Sequence, residues 1–239
     1  LNGAPVFSTG CDLRSLDGKS PVKSFAAPVA CIASLTKGAI ALICEDGQLH
    51  FIGGDRDNQS LSLPAAINCP TAIAVGKDGT LFIANGSSSC TPAQWQTDLL
   101  RKGRSGSIWQ LAPGANEPRK IAQGLAWPAG LAVINDKLIA AESWASRLVE
   151  IRPDSSEPIE VLGNLPGYPS RMTSGSTGFW LTLFAPRNQL VEFVLRENAY
   201  RARMMGEIDP DLWIAPTLRN GRGFLEPLQA GGVKQLGVL

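Results

Sequence analysis

Apolar and polar positions fall into one frame that recurs four times: a proline, a short strand of small apolar residues, a tight turn and a second apolar strand. The first strands read Val29-Ala30-Cys31-Ile32-Ala33 after Pro28 and Thr71-Ala72-Ile73-Ala74-Val75 after Pro70. They return as Ala129-Gly130-Leu131-Ala132-Val133 after Pro128 and Ser170-Arg171-Met172-Thr173-Ser174 after Pro169. The prolines stand 42, 58 and 41 residues apart. The middle gap matches the others once about 17 residues are set aside as an insertion. The turns are Thr36-Lys37-Gly38, Lys77-Asp78-Gly79, Asn135-Asp136-Lys137 and Gly175-Ser176-Thr177-Gly178. Such residues take positive φ or bond their own backbone. The second strands, 39–44, 81–84, 138–141 and 179–183, are almost wholly apolar. The third strands, 48–52, 107–111, 147–151 and 189–193, alternate, as a strand with one half-exposed face does. The fourth are most polar, as in Arg119-Lys120-Ile121-Ala122 and Ile159-Glu160-Val161-Leu162.

A period near 40 residues, apolar at its centre and polar at its rim, predicts an all-β chain of propeller blades. We expect a single domain on a six-bladed plan, incomplete in this chain, with four full blades starting near residues 28, 69, 127 and 168. Residues 12–16 and 21–25 read as the outer strands of an earlier blade. The pattern lapses after Glu197, giving an irregular segment over 197–225 that is helical to about Ile208. An open propeller would expose strand edges and apolar faces, which suits a second copy or a covalently linked neighbouring domain. The insertion 87–103 predicts a helix over 91–102, with Thr91 as N-cap, Pro92 at N1, Gln94 completing a capping box and Gly103 as the stop. Trp95 and Leu99 share one face of it. The geometry of a blade hangs this helix over the central cavity, as a surface ornament or as a lid.

Composition narrows the partners. The chain carries 22 Lys and Arg against 21 Asp and Glu, a net charge of +1, so it lacks the basic face that nucleic acid requires. No apolar run approaches the ~20 residues that cross a bilayer. Position 1 is Leu, which we read as a trimmed or processed chain or as part of something longer. The five cysteines, at 11, 31, 44, 69 and 90, show no metal spacing. Folding the first hairpin about Lys37-Gly38 sets Cys31 opposite Cys44, as two small buried residues or as a disulfide. The single histidine, His50, falls on an alternating third strand away from the axis, which weakens any Ser-His or Cys-His nucleophile scheme. Gly103-Arg104-Ser105-Gly106 and Gly221-Arg222-Gly223 read as turns and not as phosphate loops.

The frames Trp127-Pro128-Ala129-Gly130-Leu131-Ala132-Val133, Ala140-Ala141-Glu142-Ser143, Arg147-Leu148 and Leu165-Pro166-Gly167-Tyr168-Pro169 resemble the strictosidine synthase-like family. The resemblance runs from about Pro28 to Glu197 and is strongest from Gly106 to Leu195. It implies a six-bladed propeller related to the gluconolactonase, regucalcin and paraoxonase propellers, many of them similar to calcium-dependent lactone or ester hydrolases. It also tilts localisation towards the outside of the cytoplasm. This sequence departs from that pattern where it matters. The positions corresponding to axial Asn and Asp ligands are Thr71, Ala129 and Ser170, and Arg171 adds a positive charge beside them. Calcium wants six to eight oxygen ligands, so we expect no metal and no other cofactor. The family's late catalytic Glu has no matched position; Glu226 lies in no motif that assigns it that role.

The candidate site is the mouth formed by first-strand starts and second-strand ends, under the helix of the insertion. Its expected polar set is Asn85, Glu142, Ser170 and Arg171, with Thr71 behind, and its expected wall is Trp95, Trp127, Tyr168 and Phe184. Such a mix suits a small-molecule pocket, here for an anionic or carbonyl-bearing ligand facing Arg171. Two functions remain open. One is a lactone or ester hydrolase in which Glu142 is base and Arg171 holds the oxyanion. The other is a non-catalytic propeller that binds a small molecule or a partner protein, with Glu142 bonded to a neighbouring blade or paired with Arg171.

Overall fold

The computed structural model of the chain describes residues 4–16, 18, 20–153, 155, 157–175 and 178–217. Five antiparallel sheets follow one another in chain order. The first holds β1 (Val6–Thr9), β2 (Asp12–Ser15) and β3 (Lys23–Ser24). Three four-stranded sheets come next. They are β4 (Val29–Ser34), β5 (Ile40–Cys44), β6 (Gln48–Ile52) and β7 (Ser60–Ser62); β8 (Pro70–Val75), β9 (Leu81–Asn85), β10 (Gly106–Leu111) and β11 (Arg119–Leu125); and β12 (Pro128–Ile134), β13 (Lys137–Glu142), β14 (Arg147–Ile151) and β15 (Ile159–Leu162). The last sheet is only β16 (Gly167–Ser174) and β17 (Phe179–Pro186). Each is a meander in which sequence neighbours pair, the construction of a propeller blade.

Turn chemistry fixes the hairpins. Lys37 and Gly38, at φ 58° and 70°, and Asn135 and Asp136, at φ 49° and 63°, are consecutive left-handed residues. That backbone matches the twist of the strands it joins. Both faces of the second strands β5, β9 and β13 are then largely covered, and β5 is buried throughout. Ala41, Ile43 and Phe51 of the first full blade pack on Ile73, Ile83 and Trp109 of the second. Ala74, Ala84 and Ile108 of the second pack on Leu131, Ala140 and Val149 of the third. Ile139 and Leu148 continue the stack onto Met172 and Leu181. Each fully buried Leu or Ile contributes roughly 1.5–3 kcal/mol, so the blades are held face to face by apolar contact. The outermost strand β15 is exposed along its whole length.

The structure corrects three expectations. The run 189–193 is not a third strand of a fourth blade. It opens helix α2 (Gln189–Arg196), followed by α3 (Asn198–Glu207). Asn188 caps α2 by accepting from the Val191 N–H at 2.9 Å, and the buried side chains, Val191 and Val194, lie one turn apart. Three four-stranded blades are therefore described, not four. Secondly, Cys31 does not face Cys44: Cys44 pairs with Val29 and Cys31 with Ile43 across a register shift. All five cysteines are free, and burial pushes the thiols of Cys31 and Cys44 up to about 12. Thirdly, the stop of the insertion helix is shared. The helix α1 (Trp95–Leu100) follows a single 3-10 turn, Pro92–Gln94, and the expected capping box on Thr91 is present. Lys102, at φ 55°, takes the left-handed position. The Gly103 N–H bonds Asp98 O and the Lys102 N–H bonds Leu99 O, both at 2.8 Å, a Schellman ending. Gly103 is required for another reason: a Cβ there would collide with the Asp98 carboxylate. The Gly221-Arg222-Gly223 turn, Glu226 and the end of the 197–225 segment lie outside the described residues.

Candidate functional site

The loops that follow β5, β9 and β13 and the end of β17 converge with the starts of β4, β8, β12 and β16 around a cavity of about 260 Å³. Trp95, Trp127, Trp144 and Phe184 form its apolar wall. Trp127 stacks on Trp144 with centroids 5.3 Å apart, and Trp95 meets Phe184 edge-on at 5.0 Å. Pro92 and Trp95 bring the insertion helix onto the cavity. The Trp127 backbone stands at φ 54°, a conformation that a bulky residue keeps only when its surroundings impose it. Here the Ser143 N–H bonds its carbonyl at 3.1 Å, and the Trp144 N–H bonds Ala126 O at 3.2 Å. The Trp144 indole N–H donates to the buried Asp98 carboxylate at 2.9 Å, whose other oxygen accepts from Ser87 Oγ at 2.6 Å. The aromatic wall is thus fixed in place by hydrogen bonds.

Arg171 stands where this cavity meets a central channel of about 550 Å³ lined by β4, β8, β12 and β16. Its guanidinium donates to the carbonyls of Thr71, Ala30 (2.9 Å) and Ala129 (3.5 Å). Each acceptor follows a frame proline by one or two residues, so equivalent backbone positions of three blades converge on one cation from the next. Arg171 pins the inner strands together across the axis.

Of the expected site residues, the cavity gathers Thr71, Trp95, Trp127, Ser170, Arg171 and Phe184. Thr71 is committed, its Oγ1 donating to Pro128 O at 2.5 Å. Three residues lie elsewhere. Asn85 is fully buried, accepting from the Cys69 N–H at 2.7 Å and donating to Ser87 O at 2.9 Å. Tyr168 packs behind Trp144 at 6.0 Å, with its hydroxyl donating to Glu192 at 3.2 Å. Glu142 is fully buried. One oxygen accepts from the Ala126 N–H at 2.7 Å and the other from Arg147 Nε at 2.6 Å. Its cationic partners are Arg147 of its own blade and, more distantly at 3.8 Å, Arg104 of the second blade, and not Arg171. Both oxygens brace the blade, which removes Glu142 from the surface a substrate would touch. His50 meets the Phe25 ring at a tilt, with centroids 4.9 Å apart, and burial with nearby Lys23 lowers its pKa.

Sequence reasoning missed Trp144, Glu45 and Ser143, which all line the cavity. Each follows the end of a second strand by one or two residues. Successive strand residues point to opposite faces, so reading one step beyond Glu142 would have found Ser143, whereas Trp144 lies in the turn that follows, where alternation gives no signal. The residues present do not fit the axial calcium of the resembling propellers. Ala129 has no side-chain oxygen, Thr71 Oγ1 is bonded to backbone, and the carbonyls that converge on the axis already hold a guanidinium.

No family model matches the chain, and no curated protein matches it. Solved structures do. A streptogramin B lyase superposes with a TM-score of 0.53 at 18% identity, over 73% of this chain and 56% of the other. A candidate gluconolactonase gives 0.53 at 13% identity, over 73% and 65%. A catalytically inactive virginiamycin B lyase from Staphylococcus aureus, with quinupristin, gives 0.50 at 17% identity, over 72% and 53%. At these identities the likeness shows the propeller fold. The chain spans between about half and two thirds of the length of those propellers.

Proposed function

We propose that this chain belongs to a six-bladed, strictosidine synthase-like propeller whose mouth binds a small organic molecule with a flat apolar body and a carbonyl group. The observation that carries the reading is the convergence of Trp95, Trp127, Trp144 and Phe184 on one cavity beside Arg171. Aromatic walls with a few placed polar groups recognise such ligands. The volume, about 260 Å³, suits a compact molecule, and the insertion helix closes over it as a lid. Calorimetric titration with a panel of lactones and aromatic esters tests this. Binding that Trp127→Ala weakens about tenfold or more supports the reading, since that loss equals about 1.4 kcal/mol of contact. Binding that is indifferent to the substitution moves the site elsewhere.

Hydrolysis of a lactone or ester is the second reading. It is favoured by Glu45, an exposed carboxylate, and Ser170, which both line the cavity. Glu45 would activate water in place of the braced Glu142, with Ser170 or the Arg171 guanidinium facing the developing oxyanion. Glu45→Gln then abolishes turnover while ligand binding survives. Turnover that persists in this variant removes Glu45 from the mechanism.

A further inference from the structure

A second cleft, of about 570 Å³, opens on the far side of Trp144 between the end of α1 and α2. It is lined by Lys102, Arg104, Arg187 and Arg196. Glu192 is the one carboxylate among the residues lining it. Four cations less one anion leaves three positive charges in excess. Two further carboxylates approach from behind, and each is already engaged. Glu142 comes within 3.8 Å of Arg104 but is bound by Arg147 at 2.6 Å. Asp98 lies beneath Gly103 and is bonded to Ser87 and Trp144. Counting Asp98 as well, an excess of two remains.

The cations are positioned by the fold. Lys102 sits on the left-handed residue that ends α1. Arg187 is held as a fixed fork, donating to Asn164 Oδ1 at 3.0 Å and to Glu192 at 2.8 Å. Arg196 ends α2. Neither Lys102 nor Arg196 makes an ion pair among the described residues. Like charges gathered in a concave cleft repel one another, and a bound anion relieves that repulsion. Guanidinium forks match the planar oxygens of carboxylate and phosphate.

We propose that this cleft is a binding site for a small multiply charged anion of phosphate or carboxylate chemistry, separate from the aromatic mouth. Calorimetric titrations of the whole chain with pyrophosphate, citrate, inorganic phosphate and, as a neutral control, glycerol test it. Saturable one-to-one binding of pyrophosphate or citrate is expected, weakening as sodium chloride rises because the contact is partly exposed. Preference for pyrophosphate identifies a phosphate site, and preference for citrate a carboxylate site. The double variant Lys102→Glu and Arg196→Glu alters two exposed side chains and should lose binding by about tenfold or more, roughly 1.4 kcal/mol. Arg104→Gln provides a second reading should that variant fold poorly. Trp127→Ala leaves anion binding intact, so failure at the mouth and failure here are distinguishable. No saturable anion binding, or binding that neither charge variant weakens, overturns the proposal.

Discussion

The third and fourth frames begin alike and end differently. After Pro128 the chain runs through β12, β13, β14 and β15 and completes a blade. After Pro169 it runs through β16 and β17, then leaves the sheet for α2 and α3. The completed blade supplies rigidity: Glu142, Arg147 and Ala126 lock its strands from within. The diverted blade supplies chemistry. β16 carries Ser170 and Arg171 to the mouth, β17 carries Phe184, and α2 walls the basic cleft. The insertion in the second blade does the same with Trp95. Regular repeats build the support and, through Trp127 and Trp144 beside β12 and β13, half of the aromatic wall, while departures from the repeat add Trp95 and the basic cleft. β17 also leaves Phe179, Trp180 and Leu183 exposed, Trp180 at 74%.

Substitutions at four positions separate support from recognition, from the largest expected effect to the smallest. Gly130→Ala would drive a Cβ into the Ser170 carbonyl, where β12 meets β16. With backbone on both sides, we expect a loss of about 3 kcal/mol or more in a denaturant melt. A melt indistinguishable from the parent would mean that the third and fourth frames are not packed this closely. Glu142→Ala removes the fully buried carboxylate of a part-buried pair, leaving the Ala126 N–H without its acceptor and Arg147 with only Glu160. A loss of about 3 kcal/mol is expected, with any ligand affinity of the folded fraction retained. Affinity lost at unchanged stability would return Glu142 to the site.

Arg171→Ala removes the guanidinium from three carbonyls. The side chain is exposed to the channel, where water can replace it, so about 2 kcal/mol is expected. Arg171→Lys should recover only part of this, because an ammonium cannot reproduce the planar fork. Full recovery by Lys would argue for charge alone. The smallest effect is Asn188→Ala at the start of α2, about 1 kcal/mol. Its read-out is local: hydrogen exchange should rise in 189–196 and stay unchanged in β12–β15. A uniform rise would show that the fourth frame is coupled to the blades as tightly as a strand would be.

The sequence made the blades legible because each hairpin carries its own turn chemistry and each strand its own period. Pro28, Pro70 and Pro128 stand at or just before the starts of β4, β8 and β12, Pro169 stands two residues inside β16, and the strands through 107–111 and 147–151 lie where alternation puts them. Alternation failed at Gln189-Leu190-Val191-Glu192-Phe193, since five residues fit a strand and a helix turn equally. The deciding signals lay just outside, in Asn188 as a cap and in Val194 and Leu195, one turn beyond Val191 and Val191's neighbours. β1 and β7 were missed because runs of four and three residues are too short to carry a period. At the site, the end of the insertion helix and the wall of Trp95, Trp127 and Phe184 were readable from position in the frame. Trp144 was not, because it sits in a loop where no period applies, and Asn85 and Glu142 sit one step short of the mouth, facing inwards.

The central claim is that the aromatic mouth is where a ligand sits. A crystallographic fragment screen with flat, carbonyl-bearing fragments measures this directly. The account predicts that fragments collect between Trp127 and Phe184, under Trp95 and within reach of Arg171. Fragments that bind elsewhere on the blades while the mouth stays empty would contradict it.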